Sequence, residues 1–304
     1  MQVSTSRFFD RSAQMMSRLQ EHADTLMVRS ATGKRLQAPS DDAVAWRKLQ
    51  GISQADADDK VFGDNLKVAG SVLAQADSVL SGITGQLQQA SELALKAANG
   101  TMTPQDRRII GQEMESVLQS LVQLANREDP RGSPLFGGAD GGGGAVRQPD
   151  GSYRLAAIEP PAVPPTIPIG EGEAIQVTEP AARVLGFEGV NGPTDAIAVV
   201  AALRAALADG TDQDAIAAGV EDLKRAGDQV ANVQASLGAR AARVDMAQAQ
   251  IEDAATDREL ARSGLEDADY AATLVELQKT MTILSATQAS FSKLSSMSLF
   301  DYLR

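Results

Sequence analysis

The chain has 304 residues, with 40 acidic against 28 basic side chains and a net charge of −12, a balance that argues against nucleic acid as a partner. It has no cysteine, which excludes disulfide frameworks and thiolate metal sites. Aromatics are only 4% of residues while apolar types reach 43%, so the apolar content is largely small and suits close helix packing better than a broad globular core. No stretch approaches the ~20 apolar residues of a membrane span, and no membrane insertion is expected. The first residues lack the uninterrupted apolar segment of a secretory signal, so any export is expected to proceed without a cleaved signal peptide.

Residues 1–40 read as a terminal helix and its exit. Phe8, Met15, Leu19, His22 and Leu26 fall on one helical seam, and His22, the one histidine, is read as a packing residue rather than a metal ligand. "TGKRLQAPS" then breaks the helix through Gly33 and Pro39. Ser40 is placed as the next N-cap, with Asp41 and Asp42 where a helix dipole favours negative charge.

Residues 41–128 read as a helical hairpin. Phe62, Leu66, Ala69, Leu73, Ala76, Leu80, Ile83, Leu87, Ala90, Ala94 and Ala97 step by alternating fours and threes, a heptad seam. A helix from Asp41 to Ala98 would run roughly 85 Å. "NGTMTPQDRRII" makes the corner, with Thr103 as cap, Pro104 at the first helical position and Asp106 closing a capping box. Ile110, Met114, Val117, Leu121 and Leu124 continue the spacing on the way back.

Residues 129–193 change character. "GGADGGGG" and "EPPAVPPTIP" cannot be helix, and the former lacks the lysine and hydroxyl ending of a phosphate loop. "AVRQPDGSYRLAAI" predicts two short strands around a Pro-Asp-Gly turn. Helix returns over residues 194–263, with a short element from near Thr194 to Asp209 and a long one capped at Thr211. The long one carries Ile216, Val220, Leu223, Val230, Leu237, Val244 and Ile251 on one seam. The pattern pauses at Gly264. Over residues 264–304, Tyr270, Leu274, Leu277, Met281, Leu284, Gln288 and Phe291 form a last seam, and Leu299 and Phe300 keep the chain apolar almost to its end. The expected fold class is mainly α: an elongated antiparallel helical bundle or coiled coil built from both chain ends, with a small β-rich insertion in the middle.

Two motifs at opposite ends carry a resemblance. "TGKRLQAPSDDAVAW", residues 32–46, resembles the N-terminal signature of the flagellin superfamily through Gly33, Arg35, Leu36, Asp41 and Asp42. "LEDADYAATLVELQKTMTILSATQAS", residues 265–290, is similar to that superfamily's C-terminal helix start through Asp267, Asp269 and Tyr270. The ending "SMSLFDYLR" is similar to the branch that joins hook to filament. The resemblance implies a structural subunit of the extracellular bacterial flagellum, exported unfolded, with both termini in the inner layer of a helical tube. It implies a homo-oligomeric ring with hook-associated protein 1 on the hook side and flagellin on the filament side. An export chaperone is implied along residues 265–304. The interface residues expected are Phe8, Met15, Leu19, Leu26, Arg35, Asp41, Asp42, Asp267, Asp269, Tyr270, Leu274, Leu277, Met281, Leu284, Phe291, Leu299 and Phe300.

Physical reasoning adds its own expectation. Ordering ~35 terminal residues costs on the order of 35–70 kcal/mol of backbone entropy, which a single apolar seam cannot offset without neighbours. Both ends are therefore expected to be disordered or loosely helical until assembly. Residues 1–35 hold six bases and three acids, and residues 265–304 three bases and five acids. Arg35 is placed either in a salt bridge with the Asp41–Asp42 pair or in solvent. No nucleophile–base set, metal cluster or cofactor fingerprint is present, so neither an enzyme nor a cofactor is expected. The rival readings are a filament flagellin and a cytoplasmic coiled-coil scaffold.

Overall fold

The computed structural model describes residues 2–99, 102–129, 131–137, 144–149, 151–156, 166–209 and 213–302. In chain order the helices are α1 (Gln2–Thr32), α2 (Ala43–Ala97), α3 (Pro104–Ala125), α4 (Ala181–Leu185), α5 (Ala196–Asp209), α6 (Gln213–Glu266) and α7 (Tyr270–Tyr302). Between α3 and α5 lie three two-stranded antiparallel hairpins: β1 (Ala145–Arg147) with β2 (Tyr153–Leu155), β3 (Thr166–Gly170) with β4 (Glu173–Gln176), and β5 (Gly186–Gly189) with β6 (Gly192–Asp195). The chain forms two compact units, one of residues 58–252 and one of residues 1–57 with 253–304.

The unit of residues 58–252 is built on the heptad seam. Leu66, Ala69, Leu73, Ala76, Leu80, Ile83, Leu87, Ala90, Ala94 and Ala97 are all buried, with Phe62 half-buried. They join Ile110, Met114, Val117 and Leu121 of α3 and Ile216, Leu223, Val230, Leu237 and Val244 of α6 in one apolar cluster. Each buried Leu or Ile contributes about 1.5–3 kcal/mol by leaving water. The capping box forms as the sequence predicts: the Thr103 hydroxyl accepts from the Asp106 amide, and the Asp106 side chain reaches back to the Thr103 amide. Thr211 lies outside the described residues. The short helix before it, α5, takes its cap from Asp195, whose Oδ1 accepts from the Ala198 amide at 2.8 Å. Leu203 of α5 packs onto Gly219 of α6, where an added Cβ would stand 2.5 Å from its Cδ2, so only glycine allows this approach.

The described residues of the insertion fold as short hairpins and one short helix. The predicted pair is β1–β2, in register Ala145↔Leu155 and Arg147↔Tyr153. Two further hairpins and α4 were not legible in the sequence. Side chains of α6 hold this region by its backbone. Arg240 donates to the Gln176 carbonyl at 3.2 Å, Gln229 to that of Arg183 at 2.7 Å and Arg225 to that of Glu188 at 3.3 Å. Glu179, whose side chain is 1% exposed, pairs with Arg240 and with Arg183.

In the other unit, α1 and α7 pair lengthwise. Each helix finds in the other a partner for its seam. The row used on α1 is Phe9, Ser12, Met16, Leu19, Ala23, Leu26 and Ser30; on α7 it is Thr273, Leu277, Thr280, Leu284, Thr287 and Phe291. Both rows keep the four-three spacing. Phe9 meets Phe291 edge to face with ring centroids 5.4 Å apart, a geometry favoured by the ring quadrupole. Ala23, Leu26, Thr273 and Thr280 are the buried members.

Candidate functional site: the paired elbow and the terminal arms

α1 ends where Gly33 takes φ +69, the left-handed conformation that a side chain resists, and its amide caps Arg29 O at 2.9 Å. α6 ends at Glu266, two residues beyond the predicted pause, and Asp267–Asp269 separate it from α7. The two breaks meet. Lys34 and Asp267 form an antiparallel bridge, with the Arg35 amide donating to Glu266 O at 2.6 Å and the Ala268 amide to Gly33 O at 2.8 Å. The two sequence motifs are therefore one structure.

Side chains lock it. Arg35 Nη2 donates to Leu265 O at 2.8 Å, placing a cation on the C-terminal carbonyls of α6, where the helix dipole favours it. Its Nη1 lies 3.9 Å from Asp42, so the expected salt bridge is the minor contact and the carbonyl the major one. Lys34 pairs with Glu266. Leu36 is buried with Ala45 and Leu49, and Leu265 packs against them.

The aspartates are caps. Asp42 Oδ1 accepts from the amides of Val44 and Ala45 at 3.1 and 3.0 Å, making Asp42 the N-cap of α2, in correction of Ser40. Asp41 Oδ2 accepts from the amides of Gln37 and Ala38 at 2.9 and 3.0 Å and closes the turn before it. Those amides hold both carboxyls below the ordinary aspartate range, that of Gln37 most for Asp41 and that of Ala45 most for Asp42. Asp269 Oδ1 accepts from the Ala272 amide at 3.0 Å and caps α7, while Asp267 receives the Ser263 hydroxyl. Every elbow carboxylate named by the motifs is occupied by a structural hydrogen bond.

The arms divide the seam residues between packed and exposed positions. Leu26 is buried; Leu19, Leu274, Leu277, Leu284 and Phe291 are half-buried. Met15, Tyr270 and Met281, expected as interface residues, are 56%, 58% and 45% exposed. His22, expected inside, is exposed with Nε2 3.3 Å from Glu276 Oε1. The reason is physical: two overlapping rows share the four-three spacing, and bulk alone favours the row with Met15 and Met281. The helices instead close on the row holding Ala23 and the threonines, whose small side chains allow close approach. Ser12, Ser30, Thr273, Thr280 and Thr287 hid that row from a hydrophobicity reading. The side chains of Phe8, Leu299 and Phe300 lie outside the described residues.

The result is a helix pair turned partly inside out. It covers Thr273 and Thr280, at 8% and 5% exposure, while leaving Met27, Val28, Val275 and Ile283 on the outside beside Met15, Tyr270 and Met281. Below the elbow, Asp56 accepts from Arg258 at 2.7 Å and also pairs with Arg262, tying α2 to α6. No local pattern marks this cluster, because the two arginines stand 202 and 206 residues from the aspartate they meet.

Comparison with known proteins agrees with this construction. The family described as bacterial flagellin N-terminal helical region matches residues 4–140, and bacterial flagellin C-terminal helical region matches residues 220–303. The chain is 25% identical over 317 residues to flagellar hook-associated protein 3 of Salmonella typhimurium, covering all of both chains. It is 26% identical over 299 residues to flagellar hook-associated protein 3 of Escherichia coli, covering 89% of this chain and 90% of that one. Among solved structures, the fold is similar to that of a flagellar junction protein from Legionella pneumophila. The TM-score is 0.59 at 14% identity, covering 72% of this chain and 99% of that one.

Proposed function

Since the chain belongs to the bacterial flagellin family, we propose that it is a structural junction subunit of the bacterial flagellum, an adaptor between hook and filament. It assembles as a homo-oligomeric ring, with hook-associated protein 1 on the hook side and flagellin on the filament side. It acts outside the cell, and an export chaperone covers the C-terminal helix before transit.

The observation that carries this reading is the inside-out arm. A helix pair that buries threonines and exposes methionines, valines, an isoleucine and a tyrosine is incomplete as a single copy. Burying those residues against neighbouring copies supplies about 25 cal/mol per Å² of apolar surface. Head-to-tail contacts of this kind build rings and tubes, whereas an isologous contact stops at a dimer.

Deletion of the chain tests the proposal. Cells without it are expected to build hooks, lose filaments and release flagellin into the medium, because filament subunits then lack a seat. Normal filaments on such cells would refute it.

A further inference from the structure

The turn of the β5–β6 hairpin, α5 and the first turns of α6 border a cleft of about 300 Å³, a volume at the lower end of those that hold small organic molecules. Its walls are mostly apolar, with Pro193 from the hairpin, Ala198 and Ala202 from α5 and Ala218 from α6. One charged side chain lines it. Asp222 is 8% exposed, and its Oδ1 accepts from the Val190 amide at 2.7 Å. Gly189 lets the hairpin come so near: an added Cβ would stand 2.7 Å from Thr194 Cγ2 and 3.0 Å from that same Oδ1.

Anchoring the hairpin needs one acceptor, which a side-chain amide would supply. A carboxylate brings in addition a charge and a second oxygen, and Oδ2 has no hydrogen-bond or ion-pair partner among the described residues. Arg225, one turn further along α6, is engaged with Glu221 and the Glu188 carbonyl instead. A buried charge without a partner is costly, so the cleft calls for a cation.

We propose that the cleft binds a primary alkylammonium group, its nitrogen on Asp222 Oδ2 and its methylene stem along the alanine walls. A guanidinium is less suited, because its fork pairs with two carboxylate oxygens and one is already taken by Val190. An ammonium is a point charge with three rotatable donors. Asp222 takes one, and Thr194 and Asn191, which also line the cleft, carry acceptors for the others. A metal ion would need further carboxylates or imidazoles, and the described residues hold no such group of three. The ammonium belongs to a free amine or to a lysine side chain of a neighbouring protein, which present the same chemistry.

Butylammonium chloride is the probe, titrated into the full-length chain while the Val190 amide is followed by nuclear magnetic resonance. The Val190 signal is expected to shift saturably. Tetramethylammonium, which has no N–H donor, and butanol, which has no charge, should leave it in place. Asp222→Asn keeps an acceptor for Val190 and should melt with the parent while weakening butylammonium about tenfold or more. Ala202→Leu narrows the cleft from an exposed wall position and should weaken binding with no loss of stability. No saturable shift, an equal response to tetramethylammonium or butanol, or parental affinity in either variant overturns the proposal. Carbodiimide treatment of isolated flagella then separates the two sources, since it joins a carboxylate to an adjacent amine as an amide. An amide between Asp222 and a lysine of another chain assigns the cleft to a lysine side chain. Butylammonium binding without that amide assigns it to a free amine. This last arm alone rests on the junction reading, and absence of the chain from flagella defeats that reading and not the site.

Discussion

Arg35 and Leu265 are separated by 230 residues of sequence and by 2.8 Å in space, the guanidinium donating to the last carbonyls of α6. One side chain thus joins the exit of the N-terminal helix to the entry of the C-terminal one. Arg35→Ala removes this charged donor from a partly exposed site, and a loss of about 1 kcal/mol is expected. Arg35→Lys keeps charge without the planar fork and should recover only part of it. Hydrogen exchange of the Ala268 amide, which bonds Gly33 O, reads the elbow directly and should accelerate in both variants, more in the alanine.

The arm should respond oppositely at neighbouring positions. Thr280 is 5% exposed in the α1–α7 seam, so Thr280→Val, similar in shape but without the hydroxyl, is expected to stabilise the isolated chain by up to about 1 kcal/mol. Met281 is 45% exposed; Met281→Ala should leave the melting temperature unchanged and impair incorporation into flagella. If the two variants exchange these effects, the packed row has been misassigned.

Glu179 is almost wholly buried between Arg240 and Arg183. Arg240→Ala leaves that carboxylate with Arg183 alone and also strips a donor from Gln176 O. A loss of about 2–4 kcal/mol is expected, near what breaking a buried pair costs. Denaturant unfolding of the full chain measures it, and the elbow amides should keep their exchange rates.

Two aspartates set opposite pH behaviour. The hydrogen bond from Arg258, followed by that from Arg262, holds the Asp56 carboxyl below its ordinary value. Its stabilising contribution is complete above the unfolded value of about 3.9 and is lost as pH falls through the folded value. Asp56→Asn should flatten that acid limb. Burial pushes the Asp195 carboxyl up, so its ionisation opposes folding once pH passes the unfolded value, and the penalty is fully present above the folded one. Asparagine caps about as well as aspartate, so Asp195→Asn should retain the α5 cap and match or exceed the parent's stability at pH 7. Thermal melts across pH check both.

The long seams of α2, α3 and α6 were legible because large apolar side chains at four-three spacing admit one packing solution, and each predicted position from Leu66 to Ala97 is buried. The elbow was legible as motifs but not as a contact: Lys34 and Asp267 carry no sign of each other in sequence. In the arms Leu19, Leu26, Leu277, Leu284 and Phe291 were legible as packing positions by their bulk, whereas Ser12, Thr273 and Thr280 were not, because they pack for their small size. The strands of hairpins β3–β4 and β5–β6 are only four or five residues long and rest on carbonyls gripped from α6, a long-range cause that leaves no local pattern.

The most direct test of the account is immunogold electron microscopy of intact flagella, with antibody raised against residues 129–193. Gold confined to the point between hook and filament is the predicted result. Gold along the whole filament would contradict it and make the chain a filament subunit.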